Sequence, residues 1–166
     1  SLLDNEGGGR NQDDPAADAG FGSAPLVDMG AHERGAQALV VDVDSISSSA
    51  GGLQHLDLDL GAGHAGDLYL LAGSLSGTTP GLALGALNVP LNVDAYTLMI
   101  IGQANTGPFL GTLGVLDGAG RGSAAIALPP GSLPGLSGLR ADHAALVLTG
   151  TVVTAVTGTT PLVLAN

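Results

Sequence analysis

Residues 53–60 read LQHLDLDL, and the reading of these eight positions decides the fold. Side chains along a strand alternate between faces. Leu56, Leu58 and Leu60 therefore point one way, and His55, Asp57 and Asp59 the other. The leucines suit a core face and the polar residues a solvent face. The stretch VVDVD (40–44) repeats the device, with Val41 and Val43 opposed to Asp42 and Asp44. A second reading of the same residues is a cation patch. Asp57 and Asp59 lie about 7 Å apart along one strand face. With Asp42 and Asp44 on an adjacent strand, four carboxylates would share a surface. Calcium takes six to eight oxygens, usually with loop carbonyls, and no EF-hand loop is present. His55 and His64 have no recognised zinc spacing. The polar half of a strand is the expected role, with Asp42, Asp44, Asp57 and Asp59 as weak calcium candidates and no other cofactor.

The rest of the chain agrees with strands. Between residues 36 and 166, apolar runs alternate with Gly- and Pro-rich turns at the spacing of a sandwich or barrel. Strands are expected over 36–44, 53–60, 67–74, 94–101, 109–116, 122–129, 144–150, 151–157 and 161–165. LDGAGRG (116–122) has the composition of a hairpin loop. LPPGSLPGLSGLR (128–140) suits a connection crossing between sheets. The uncharged stretch 144–166 holds six threonines, two glycines and Pro161, which reads as strands and turns rather than a membrane span. The expected fold is all-β: a two-sheet antiparallel β-sandwich, Ig-like or jelly-roll-like, over residues 36–166, with an extended N-terminal arm over 1–35.

That arm holds seven of the fifteen acidic residues and many turn formers, and has no sustained period. Its one apolar piece runs Ala24, Pro25, Leu26, Val27, Asp28, Met29, Gly30, Ala31. Alone it buries too little to fold, so it is expected to pack on something else.

Composition narrows the function. There are 166 residues, no cysteine, no lysine, four arginines and a net charge of −11. Without a basic cluster, nucleic acid and anionic membranes are disfavoured partners. Without cysteine, disulfides and thiolate metal sites are excluded. Without lysine, Lys–Asn isopeptide cross-links are excluded too, so any assembly must be non-covalent. The chain starts at Ser1 without a leader, which suggests processing or a longer parent. Catalytic motifs are missing. GSLSG (73–77) carries Ser74 and Ser76 but departs from the G-x-S-x-G elbow, and His143 in RADHAALVL opens an apolar strand as a lone histidine. With no Trp, aromatic platforms for sugars are scarce. An enzyme is not expected.

Two stretches resemble known families. RNQDDPAADAGFGSAPLVDMGAHERG (10–35) resembles the closing segment of right-handed parallel β-helix domains of secreted bacterial proteins. Asp14, Pro15, Asp18 and Gly20 match its D-P-x-x-D-x-G part, and Val27 to Glu33 its V-D-[MI]-G-A-[YH]-E part. SSAGGLQHLDLDLGAGHAGDLYLLAGSLSGTTPG, VPLNVDAYT, GVLDGAGRGSAAIALPPG and LSGLRADHAALVL resemble a C-terminal β-sandwich module of large secreted or surface bacterial proteins. The resemblance carries no catalytic residues. It implies a secreted or cell-surface location and a role in anchoring, sorting, adhesion or assembly. The leading expectation is a non-enzymatic extracellular structural module that self-associates into an oligomer or filament, with the arm adding a strand to a neighbour. The alternative is an anchoring or adhesion accessory domain of a larger secreted protein, binding glycan or calcium.

Overall fold

The computed structural model describes residues 38–166, and residues Gln37–Asn166 form a compact unit. The arm, including Ala24–Ala31, lies outside the described residues. The described chain is all-β with one helix. Its elements are β1 (Leu39–Val41), β2 (Ser45–Ser47), β3 (Gly52–Asp59), a 3-10 turn (Ala62–His64), β4 (Leu68–Ser74), β5 (Leu82–Leu84) and β6 (Leu87–Val89). Then follow α1 (Ala95–Gly102), β7 (Phe109–Leu110), β8 (Leu113–Val115), β9 (Arg121–Leu128), β10 (Arg140–Thr149), β11 (Val152–Val156) and β12 (Thr160–Ala165).

Two sheets form the sandwich. The first has the order β1-β3-β9-β7, and the second β2-β12-β10-β4-β8 with β11 also on β10. All pairs are antiparallel except β12 with β2, a departure from the expected all-antiparallel arrangement. Between the sheets lie Leu56 and Leu58 from β3, Tyr69 and Leu71 from β4, Ile126 from β9, and Ala145 and Val147 from β10. Burial of these aliphatic side chains is the main stabilising term, at about 25 cal/mol per Å² of apolar surface. The opposite face of the second sheet is covered as well: Ala72, Ala144, Val89 and Leu91 pack together beneath the β5–β6 hairpin. This explains why β4 and β10 read as nearly continuous apolar runs rather than as alternating ones.

Residues 53–60 behave as strand alternation requires. Leu56 and Leu58 are buried and Leu60 partly so, while His55, Asp57 and Asp59 face outward. Gln54 shares the inner face and is fully buried, with its amide donating to the carbonyls of Val43 (2.6 Å) and Pro161 (3.0 Å). The parallel inference for VVDVD needs correction. β1 stops at Val41, and Val43 is exposed beside Asp42 and Asp44, because Asp42 turns back to bond the backbone of His55.

Tyr69 bolts the two sheets together. From β4 its ring crosses to the first sheet, where the hydroxyl lies 2.7 Å from the Ser123 carbonyl and 3.0 Å from that of Gly111. The ring fits because Gly114 and Gly122 flank it; a Cβ at either would lie within 2.8 Å of ring atoms. Burial raises the phenol above its ordinary value of 10.0, so the hydroxyl remains a donor.

Three expectations differ from the structure. Residues 94–101 form the helix α1, not a strand. Residues 109–116 split into β7 and β8, which belong to different sheets. The 116–122 loop consequently links β8 of one sheet to β9 of the other, and is not a two-strand hairpin. Connection 128–140 does cross between sheets, from β9 to β10. Residues 144–166 hold the end of β10, β11 and β12, and among the described residues no helix is long and apolar enough to span a membrane.

Candidate functional site

Helix α1 forms where it does because of its first residues. Asp94 is the N-cap, and its Oδ1 accepts from the backbone N–H of Tyr96 (2.9 Å) and Thr97 (3.0 Å). The Thr97 hydroxyl accepts from the Asp94 N–H, completing a reciprocal capping box. The other carboxylate oxygen reaches back to the end of β4. It accepts from the N–H groups of Leu75 and Ser76 (both 2.8 Å) and from the hydroxyls of Ser76 (2.9 Å) and Ser74 (3.2 Å). Burial opposes ionisation of Asp94. Hydrogen bonds from Thr97, Ser76 and Leu75 outweigh it and hold the carboxyl well below its usual 3.8.

From this anchored start, α1 sends Tyr96 and Ile100 inward. The Tyr96 hydroxyl sits 2.8 Å from Nε2 of His143, and the two rings meet edge to face at 5.7 Å. His143 is fully buried on the inner face of β10, opposite Gly73 of β4. A side chain at Gly73 would strike both rings, at 2.5 Å from Tyr96 and 2.8 Å from His143. Desolvation lowers the imidazole to about 4, slightly opposed by the charge of Asp142, so the ring is neutral at pH 7. Among the described residues its Nδ1 has no hydrogen-bond partner.

Ser74, Ser76, Asp94 and His143 are thus neighbours, but not in the order a nucleophile needs. The serine hydroxyls bond Asp94 and each other (3.2 Å), whereas the histidine bonds Tyr96. A base must reach the nucleophile's proton, and no hydrogen bond joins either serine to His143 among the described residues. The cluster's geometry is that of a clasp between β4, α1 and β10. The aspartate in VPLNVDAYT (89–97) was not singled out from the sequence as a site residue. Its position three residues before Thr97, after a proline-containing stretch, is the capping signal that could have found it.

The weak cation candidates are not gathered together. Asp59 pairs with Arg121 (2.8 Å), and Asp42 accepts the N–H of His55 (2.8 Å). β1 runs antiparallel to β3 and sets Val40, not an aspartate, opposite Asp57. Asp42 and Asp44 follow beyond the end of β1. His64 bonds Asp67 (3.0 Å) in the 3-10 turn after β3. Among the described residues, no three His, Asp or Glu side chains converge to hold an ion.

Beside α1 lies a feature that the sequence did not announce. An apolar groove of about 700 Å³ opens between the sheets. Ile126 and Leu128 of β9 and Phe109 of β7 form one wall; Ala141 of β10 with Leu162 and Leu164 of β12 form the other. Tyr96 and Met99 of α1 and the 129–139 connection complete the rim. Among the described residues no charged side chain lines it. Its deep walls include Phe109, Ile126 and Leu162, buried members of the main core, and its exposed rim is formed by Leu75, Met99 and Leu136. Beside it, α1 is apolar all round yet leaves Leu98, Met99 and Ile101 exposed.

Compared with known families and curated proteins, the chain matches no family model and no curated sequence.

Proposed function

We propose that the chain is a non-enzymatic extracellular structural module that associates with further copies of itself. The observation that carries this reading is the open apolar groove next to the exposed apolar face of α1. Monomeric proteins seldom leave large contiguous apolar patches uncovered, and such patches mark interaction surfaces. Two further points support it. The side chains best suited to chemistry, Asp94, Ser74 and His143, already hydrogen-bond within the domain. The absence of lysine and cysteine leaves burial and backbone pairing as the means of association. Secretion or display at a bacterial cell surface belongs to this proposal, resting on the resemblance of stretches between residues 48 and 148 to terminal modules of such proteins.

Sedimentation velocity over a wide range of concentration tests the proposal. Full-length chain is expected to shift to faster-sedimenting species as concentration rises. A sharp, concentration-independent monomer up to millimolar chain would overturn it.

A further inference from the structure

We infer that His143, Thr160 and Gln54 form a binding site for one buried water molecule, which hydrogen-bonds all three and so joins the two sheets through the core.

Nδ1 of His143, Oγ1 of Thr160 and Oε1 of Gln54 are buried and have no hydrogen-bond partner among the described residues. Such atoms are rare in proteins, because each costs free energy until it is paired. Strand register brings these three together. His143 of β10 lies directly opposite Thr160 of β12, so both side chains stand on the inner face that Ala145 and Leu162 also occupy. Gly73 of β4 continues that row on the other side of His143. In the facing sheet, Gln54 of β3, Ile126 of β9 and Phe109 of β7 form a second row. The two rows are joined at both ends. Tyr96 stacks edge to face on Phe109 (ring centroids 6.0 Å) and on His143 (5.7 Å). The Gln54 amide donates to the carbonyl of Pro161, the residue after Thr160. Imidazole, hydroxyl and carboxamide thus share one layer of the interior, yet no direct hydrogen bond joins any two of them.

Donors and acceptors decide the ligand. Gln54 gives its amide nitrogen to two carbonyls, those of Val43 and Pro161, which fixes its orientation and leaves Oε1 an acceptor in need of a donor. Among the described residues the Tyr96 hydroxyl bonds only Nε2 of His143. Its proton is satisfied there, so the neutral imidazole carries its own proton on Nδ1, which needs an acceptor. The Thr160 hydroxyl can serve in either role. A water molecule accepts from Nδ1–H and from the Thr160 hydroxyl and donates to Oε1. Buried waters make about three hydrogen bonds of this kind. The bridge ties β3 of the first sheet to β10 and β12 of the second, as Tyr69 ties the sheets directly.

A high-resolution crystal structure of the native chain tests the site. One ordered water is expected within roughly 2.7–3.2 Å of all three atoms. Direct bonds among the three, or a water that touches only one of them, would overturn the proposal. In solution, long-range proton–nitrogen NMR spectra report which imidazole nitrogen is protonated. Protonation at Nδ1 is expected, and at Nε2 would overturn the donor scheme. Thr160→Ser keeps the hydroxyl and should keep the water, whereas Thr160→Val should lose or displace it. A water unmoved in folded Thr160→Val would remove Thr160 from the site. The two measurements on native chain decide the matter even where Thr160→Val does not fold.

Discussion

Asp94 accepts hydrogen bonds from the end of β4 and the start of α1, so replacing it should uncouple two elements at once. Asp94→Ala leaves the N–H groups of Leu75, Tyr96 and Thr97 without their acceptor, while that of Ser76 keeps the Ser74 hydroxyl, and should cost about 3 kcal/mol in urea unfolding at pH 7. The folded carboxyl titrates below its unfolded value of 3.8, so its contribution is fully present above 3.8 and is lost as pH falls further. Asp94→Asn should therefore flatten the acid limb of the stability curve; an unchanged limb would contradict the clasp. His143 acts in a different window. Its folded value of about 4 lies below the ordinary 6.5. The unfolded chain binds a proton there that the folded chain refuses, so stability is full above 6.5 and falls as pH drops towards 4. At about 1.4 kcal/mol per pH unit the loss is about 3 kcal/mol. His143→Gln should remove that slope, as read from unfolding midpoints at pH 7 and pH 5. Gln54 is the third such residue. Gln54→Leu would leave the carbonyls of Val43 and Pro161 without their donor and should cost about 2 kcal/mol.

At the scale of elements, close approach of backbones sets the limits. Gly120, at φ 79°, brings the β8–β9 connection against the carbonyl of Gly61 in the turn after β3, where a Cβ would collide with backbone. Gly120→Ala should destabilise by more than about 2 kcal/mol, measured by thermal unfolding. Element by element, legibility follows periodicity. β3 was legible because one face is solvent and the other core, and β9 to β12 because apolar runs are punctuated by glycine and proline. Helix α1 was not, because after Asp94 the stretch AYTLMII (95–101) has only Thr97 to break its apolar character, and a short apolar run fits strand and helix alike. The cap Asp94 with Thr97 was the deciding local signal. The β5–β6 hairpin escaped notice because its two strands have three residues each. Of the candidate site, His143 was visible as a lone histidine before an apolar run. Its partner Tyr96, 47 positions away, comes to it only through the fold.

For the whole molecule, the decisive feature is the exposed apolar rim, Leu75, Met99 and Leu136, around a groove walled by core residues. Composition pointed to an aliphatic sandwich, but the groove depends on how far β7 and the 129–139 connection extend over the core, a matter of tertiary arrangement that no local pattern encodes. Leu98 is 67% exposed on α1, so Leu98→Lys should leave stability within about 0.5 kcal/mol while weakening association. The most direct measurement is the molar mass in solution, by light scattering, of native chain and of Leu136→Asp at equal concentration. Leu136 is itself 43% exposed at the groove rim, so a charge there should spare the fold, which circular dichroism would check. The account predicts an oligomer for the native chain and a folded monomer for the variant. One and the same mass for both would contradict it.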